Sequence, residues 1–316
     1  MLKRCSKSIT IIVLAMVMMV GIFVFSMTEA SANIVVNIPL STYFARVQVN
    51  PVYQLINMAS VAFGEENIKG TEFEGLPVIS RASVTKGGFK GAEDFVDIPA
   101  GELSEEGAGK IYPYNNTVRA LKLNGKQIIE WLEASAGNFN QIDPNTTDDQ
   151  FLINYEFDSH HLDQFWGIKY MYDVTQPLGE RVVMAEYNGT PLSADMEFIL
   201  IVDNYRAGGG GGLPHAVPEN IVLKWDIDYR KLVVDYLESL NGIIPELVVN
   251  WSIKPIETKG RVIVKTGAEW GVPVTEYMEI AAEKNIEPVG HIEYVGTEDV
   301  WGLFTINLKD VKTPED

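Results

Sequence analysis

Apolar side chains return at helical spacing in the segment NPVYQLINMASVAF, where Leu55, Met58, Ala59, Ala62 and Phe63 share one face. Asn50 ahead of Pro51 is a start signal, since asparagine caps well and a proline sacrifices nothing in a first turn. The same period runs through Ile128, Ile129, Leu132 and Ala136, ends near Gly137, and follows an Asn124/Gln127 pair with capping-box spacing. It returns through Tyr229, Leu232, Val233, Tyr236, Leu237 and Leu240, with Asn241-Gly242 as the stop. Strand-like runs lie between and after these helices, in TVRALKL, MEFILIVDN, GRVIVKTG and GLFTINL, and a further helix is expected in VTEYMEIAAEKN. The centre of MEFILIVDN has no polar position, which predicts burial on both faces. VTKGGFKGAEDF, polar and rich in glycine, reads as a loop. Strands and helices alternate through irregular, often long connections without internal repeats. The predicted fold class is therefore α/β, a mixed-sheet α/β complex rather than a regular doubly wound sheet.

A different pattern opens the chain. Lys3, Arg4 and Lys7 precede an apolar run from Ile9 to Phe25, and Ala30-Ser31-Ala32 follows as a small-x-small site. This is the pattern of a secretory signal peptide, residues 1–32, removed after Ala32. The run nearly reaches the roughly 18 residues of a membrane helix, so an uncleaved N-terminal anchor is the alternative. Both readings place residues 33–316 outside the cytoplasm, secreted or extracytoplasmic, with a membrane involved only if the segment stays uncleaved. The single cysteine of the 316 residues, Cys5, belongs to the removed segment. Disulfides, a thiolate metal site and a cysteine nucleophile are thereby excluded from the expected mature chain.

Charge narrows the partners. The net charge is −18, and removing three bases and one acid with residues 1–32 makes it −20. Such a surface repels polyanions, so DNA, long RNA and anionic membranes are poor partners, whereas a small phosphorylated ligand can be held by a few local donors. The four histidines, His160, His161, His215 and His291, form no HExxH or HxH pattern. No GxSxG elbow, no P-loop and no GxGxxG after a strand is present. The expectation is therefore no catalytic residue, no metal site and no cofactor assigned from motifs.

What remains is aromatic and polar side chains beside bare backbone. DNYRAGGGGGLP sets Tyr205 and Arg206 against Gly208 to Gly212. Glycine lets a ligand approach the main chain, which would make Tyr205 a stacking platform; a flexible surface loop with Tyr205 tucked into the core fits the same letters. FDSHHLDQFWGIKYMYD crowds His160, His161, Phe165, Trp166, Tyr170 and Tyr172 around Asp158 and Asp163. Tyr170 and Tyr172 are expected to cover a sheet edge. A ring from this stretch opposite Tyr205 would form a slot of nucleobase thickness, where stacking is worth about 1–3 kcal/mol per base, with Asp163 accepting from an exocyclic amine or a ribose hydroxyl.

These two stretches, with LPVIS, DIPAGEL, YPYNNT, LNGKQIIEWLEASAGNFNQID and LIVDNYRAGGGG, resemble the C-terminal domain of the secreted 5'-nucleotidase family, in particular its branch of bifunctional 2',3'-cyclic-nucleotide 2'-phosphodiesterase/3'-nucleotidases. The resemblance spans STYFARVQVNPVYQLINMA to WGLFTINL. It implies a nucleotide-binding domain over residues 33–316 that sandwiches a base between two aromatics, here Tyr205 and, at the position where relatives carry Tyr or Phe, His160. It further implies that Asp163 faces the ligand and that Asn204, Arg206, Gly209 and Gly210 shape the surround. Family enzymes hold a divalent metal pair in an N-terminal metallophosphatase domain with DxH, GNHE and GHxH motifs, which the expected mature chain lacks. Relatives also carry an arginine after two glycines where Phe89 stands, with Lys86 and Lys90 beside it; a lysine does not reproduce the bidentate fork of an arginine. The expected ligand is a nucleotide or nucleoside. Three functions follow: a secreted nucleotide-binding module, the substrate-binding half of a split hydrolase acting with a separate metallophosphatase chain, and a surface interaction protein with a decayed pocket.

Overall fold

The computed structural model describes residues 34–267 and 272–315; the expected signal peptide, residues 1–32, lies outside the described residues. A five-stranded sheet runs through the middle in the order Ile221–Asp228, Thr117–Asn124, Glu197–Asp203, Val78–Ser83, Asp163–Trp166. Glu197–Asp203 and Val78–Ser83 are parallel, in register from Ile199 opposite Val78 to Ile201 opposite Ser80, and every other neighbouring pair is antiparallel. This mixed pairing is what the alternating pattern predicts.

The apolar run in the middle strand explains why the sheet is covered on both sides. Side chains of a strand alternate between faces. Phe198, Leu200 and Val202 enter one core with Ile128, Trp131 and Leu132 of the helix Gly125–Ser135, while Ile199 and Ile201 enter another. That second core holds Val52, Leu55, Ile56 and Ala59 of the helix Pro51–Asn67 with Leu232, Val233 and Leu237 of the helix Tyr229–Ser239. The helix starts are the ones the sequence signals. The Asn50 side chain accepts from the Val52 amide at 3.0 Å, and both halves of the Asn124/Gln127 capping box form.

Two four-stranded sheets and two two-stranded ones accompany the central sheet among the described residues. One four-stranded sheet runs Thr190–Pro191, Val182–Tyr187, Lys169–Tyr172, Trp251–Ile253; the other runs Ile292–Glu298, Trp301–Ile306, Val262–Thr266, Gln150–Phe151. The expectation that Tyr170 and Tyr172 cover a sheet edge is corrected here. Their strand lies between two others, and both rings are buried, Tyr170 stacked parallel to Trp251 at 6.0 Å. Among the described residues, no helix is long and apolar enough to cross a membrane.

One buried carboxyl ties the later part of the chain to the first long helix. Glu287 accepts from the Asn50 amide at 2.8 Å and from the Tyr277 hydroxyl at 2.8 Å, so the residue that caps Pro51–Asn67 is itself held by a group some 237 positions away. Burial pushes its pKa up to about 7, against the opposing pull of the two hydrogen bonds. The folded state therefore binds a proton that the unfolded state has released, and stability falls as pH rises from about 4.5 to about 7, then levels off. The full effect is of order 3 kcal/mol. Urea unfolding at pH 5 and pH 8 should show wild type losing stability across this interval and Glu287→Gln losing markedly less; equal pH dependence in the two proteins would contradict the assignment.

Candidate functional site

Three strand ends meet at one edge of the central sheet. Arg81 and Ser83 close Val78–Ser83, Asp203 closes Glu197–Asp203, and Asp163 opens the antiparallel Asp163–Trp166 beside them. Arg206 comes from the single turn Asn204–Ala207, which Asp203 caps by accepting from the Arg206 amide at 2.8 Å. Two guanidiniums and two carboxylates are thus packed together out of water. Asp163 accepts from the Ser83 hydroxyl at 2.6 Å and from the Trp131 indole at 2.8 Å, with Arg81 at 3.5 Å and Arg206 at 3.3 Å. Arg81 also pairs with Asp203, and Ser83 accepts from Arg81 and from Arg206 at 2.8 Å each. Arg206 reaches further, donating to the carbonyls of His160 and Gly210.

Charges buried this deeply are tolerable only when matched, because each unpaired ion costs several kcal/mol of lost hydration. Here two positive charges balance two negative ones. Burial opposes ionisation of Asp203, but the neighbouring Arg81 charge and the Arg206 amide outweigh it and hold the carboxyl below its usual range. Burial pulls the Arg206 guanidinium down, and Asp163 works in the opposite direction. The four groups form a fixed floor.

Above that floor opens a cavity of about 400 Å³, within the range of small-molecule sites. Tyr205, His160, Tyr114, Asp158 and Lys90 line it, with Tyr112 and Tyr229 stacked on each other at 4.7 Å. Tyr205 is 59% exposed although it stands on a structured turn. The His160 ring is held at both nitrogens, Nδ1 at 2.7 Å from Asp158 and Nε2 at 2.7 Å from the Tyr114 hydroxyl. Asp158 also accepts from the His160 amide at 2.8 Å. Burial resists ionisation of Asp158, yet these contacts to His160 prevail and lower its pKa. Burial raises the pKa of Tyr114, and the charges of Asp94 and Asp158 raise it further, so its hydroxyl keeps its proton.

The residues expected to form a site separate into wall and support. His160, Tyr205 and Arg206 line the cavity; Asp163, Asn204, Gly209 and Gly210 do not. Asp163 is buried within the charge cluster with no exposed surface, where its partners are the two arginines, Ser83 and Trp131. Asn204 accepts from the Thr117 amide at 2.7 Å and ties the Asn204–Ala207 turn to the strand Thr117–Asn124. The bare backbone has a more local cause than ligand approach. A Cβ on Gly210 would run into the ring of Tyr205, and one on Gly211 would overlap the Arg206 guanidinium at a φ of +82° that L residues rarely adopt. Phe89 is exposed and off the cavity, and Lys86 is paired with Asp94 at 3.0 Å, whereas Lys90 does reach the wall.

Several wall or floor residues were not singled out for the site in the sequence, Arg81, Ser83, Asp203, Tyr112, Tyr114 and Tyr229 among them, and Asp158 was named only as a neighbour of His160. Tyr112 and Tyr114 sit in YPYNNT, a stretch that carried the resemblance without a role for either ring, and Asp158 sits two positions before His160. Among the described residues, no group of three or more His, Asp and Glu side chains is placed to share a metal ion. The cavity residues therefore do not fit the divalent pair that the resemblance associates with family enzymes.

The family model described as 5'-nucleotidase, C-terminal domain, matches residues 33–218. The chain belongs to that family. It is 32% identical over 291 residues to the trifunctional nucleotide phosphoesterase protein YfkN of Bacillus subtilis, covering 87% of this chain and 19% of that protein. It is 30% identical over 288 residues to the 2',3'-cyclic-nucleotide 2'-phosphodiesterase/3'-nucleotidase of Haemophilus influenzae, covering 84% of this chain and 43% of that one. The chain thus spans less than half the length of these curated relatives. The 5'-nucleotidase precursor from Thermus thermophilus shares the fold, with a TM-score of 0.51 at 20% identity over 70% of this chain and 39% of its own.

Because Asp163 is the ion-pair partner of Arg206 and a second carboxylate beside Arg81, removing it leaves one buried positive charge in excess. Asp163→Ala should cost about 3–5 kcal/mol of stability in urea unfolding, while Asp163→Asn, which keeps acceptor and shape, should cost less. A loss under 1 kcal/mol for the alanine variant would show that the cluster is not electrostatically tight.

Proposed function

We propose that this cavity binds a nucleoside or nucleotide, with the base lying against Tyr205 and facing Tyr114 and His160 from across the space. The observation that carries the reading is the position of Tyr205. A tyrosine ring left 59% exposed on a cavity wall, with a backbone stripped of its Cβ packed behind it, is a flat apolar surface awaiting a flat partner. Membership of the 5'-nucleotidase C-terminal domain family supports the same ligand class, and the names of the relatives are those of nucleotide phosphoesterases. His160 acts in this reading less as a second stacking platform than as the group that holds Tyr114, since both of its nitrogens are engaged. Lys90 offers a positive charge at the wall for a phosphate, replacing the arginine absent at Phe89.

A second reading of the same cavity is the substrate-holding part of a nucleotide phosphoesterase acting with a separate metallophosphatase chain; the relatives' names support the phosphoesterase class of this reading. The cavity is open and lined by both Tyr205 and His160, which argues against a decayed pocket. The basic, apolar and small-residue pattern of residues 1–32 supports an extracytoplasmic location, where such a protein would meet free nucleotides rather than nucleic acid polymers.

Titration calorimetry should give a Kd on the order of micromolar to millimolar for AMP or adenosine, and Tyr205→Ala should weaken it about 10- to 100-fold, as expected for a lost base stack. No heat with any nucleoside, nucleotide or cyclic nucleotide would defeat the proposal.

A further inference from the structure

The chain Asp158–His160–Tyr114 has a direction. The Asp158 carboxylate is fixed by the His160 amide at 2.8 Å, and the same oxygen stands 2.7 Å from His160 Nδ1. An ionised carboxylate can only accept, so the hydrogen of this contact belongs to Nδ1. With the imidazole neutral, Nε2 is then a bare lone pair. It lies 2.7 Å from the Tyr114 oxygen, and a contact of that length between two acceptors would be repulsive, so the phenol must donate. Tyr114 has one hydrogen, and it is spent on His160. What its oxygen has left is acceptor capacity alone, on a side chain that lines the cavity.

We propose that the Asp158–His160 pair fixes Tyr114 as a hydrogen-bond acceptor toward the ligand, and that the site consequently selects bases bearing an exocyclic amino group over their keto counterparts. This rests on the nucleoside reading above. An amine of the adenine or cytosine type satisfies the Tyr114 oxygen. A carbonyl of the hypoxanthine or uracil type sets lone pair against lone pair and leaves a buried acceptor unpaired, which is unfavourable by enough to change affinity about tenfold. Tyr114 is the specificity-determining residue, and Asp158 and His160 are positioning residues that act through it.

The pair adenosine and inosine, which differ in the amine or carbonyl at C6 and in the proton at N1, tests the idea by calorimetry on the full chain at pH 8. Wild type should bind adenosine about tenfold more tightly than inosine. Tyr114→Phe keeps the ring but not the acceptor and should bring the two within about twofold, and Asp158→Ala, which frees the tautomer, should move the ratio the same way. Wild-type binding of both nucleosides with equal affinity would overturn this inference and leave the nucleoside reading intact, whereas binding of neither would remove both. Retention of the tenfold ratio in Tyr114→Phe would also overturn it. Long-range proton–nitrogen NMR gives an independent readout in the free protein. The His160 ring, assigned by its loss in His160→Gln, should show a protonated Nδ1 and an unprotonated Nε2; the opposite tautomer would refute the mechanism.

Discussion

The site depends on one electrostatic constraint: two arginines and two aspartates buried together where three strands of the central sheet end. None of the four could stay ionised out of water alone, and each is held by its neighbours. The cluster does more than survive burial. Arg206 donates to the carbonyl of His160 and to the carbonyl of Gly210, so a single guanidinium bridges two segments that both contribute to the cavity lining. Segments more than forty positions apart are thereby registered to each other by hydrogen bonds rather than by apolar packing, which has no comparable directionality.

That division of labour separates what the sequence reveals from what it hides. Periodicity and end signals located the helices that begin at Pro51, Gly125 and Tyr229, because helix geometry and capping are local and leave local marks. The strand Glu197–Asp203 was legible for a related reason, since an apolar run without alternation requires cover on both faces. Strand pairing was not legible. Lys169–Tyr172 sits inside its sheet and not at the edge because Trp251–Ile253, eighty positions later, pairs beside it, and nothing in the letters of either segment announces the other.

The candidate site follows the same rule. Tyr205, Arg206 and His160 stood out as unusual residues in unusual company, and the cavity does contain them. Asp163 stood out equally, yet its company consists of Arg81, Ser83 and Trp131, which arrive from one distant strand and a helix and leave it no exposed surface. Tyr114 lies in YPYNNT, which the resemblance picked out without assigning its ring a role. Only the fold shows that it meets His160. The glycines carry a related lesson: their bareness accommodates the neighbouring Tyr205 ring and Arg206 head group, and whatever they do for a ligand they do by positioning that ring.

The central claim is that a planar base stacks on Tyr205 with its edge toward the Tyr114 hydroxyl, above the charge cluster. A crystal structure of the protein grown with adenosine measures this directly. The account predicts density for the base parallel to the Tyr205 ring at stacking distance, with Arg81 and Arg206 still paired to Asp163 beneath it. A nucleoside bound elsewhere on the protein, or a cavity filled only by solvent at saturating adenosine, would contradict it.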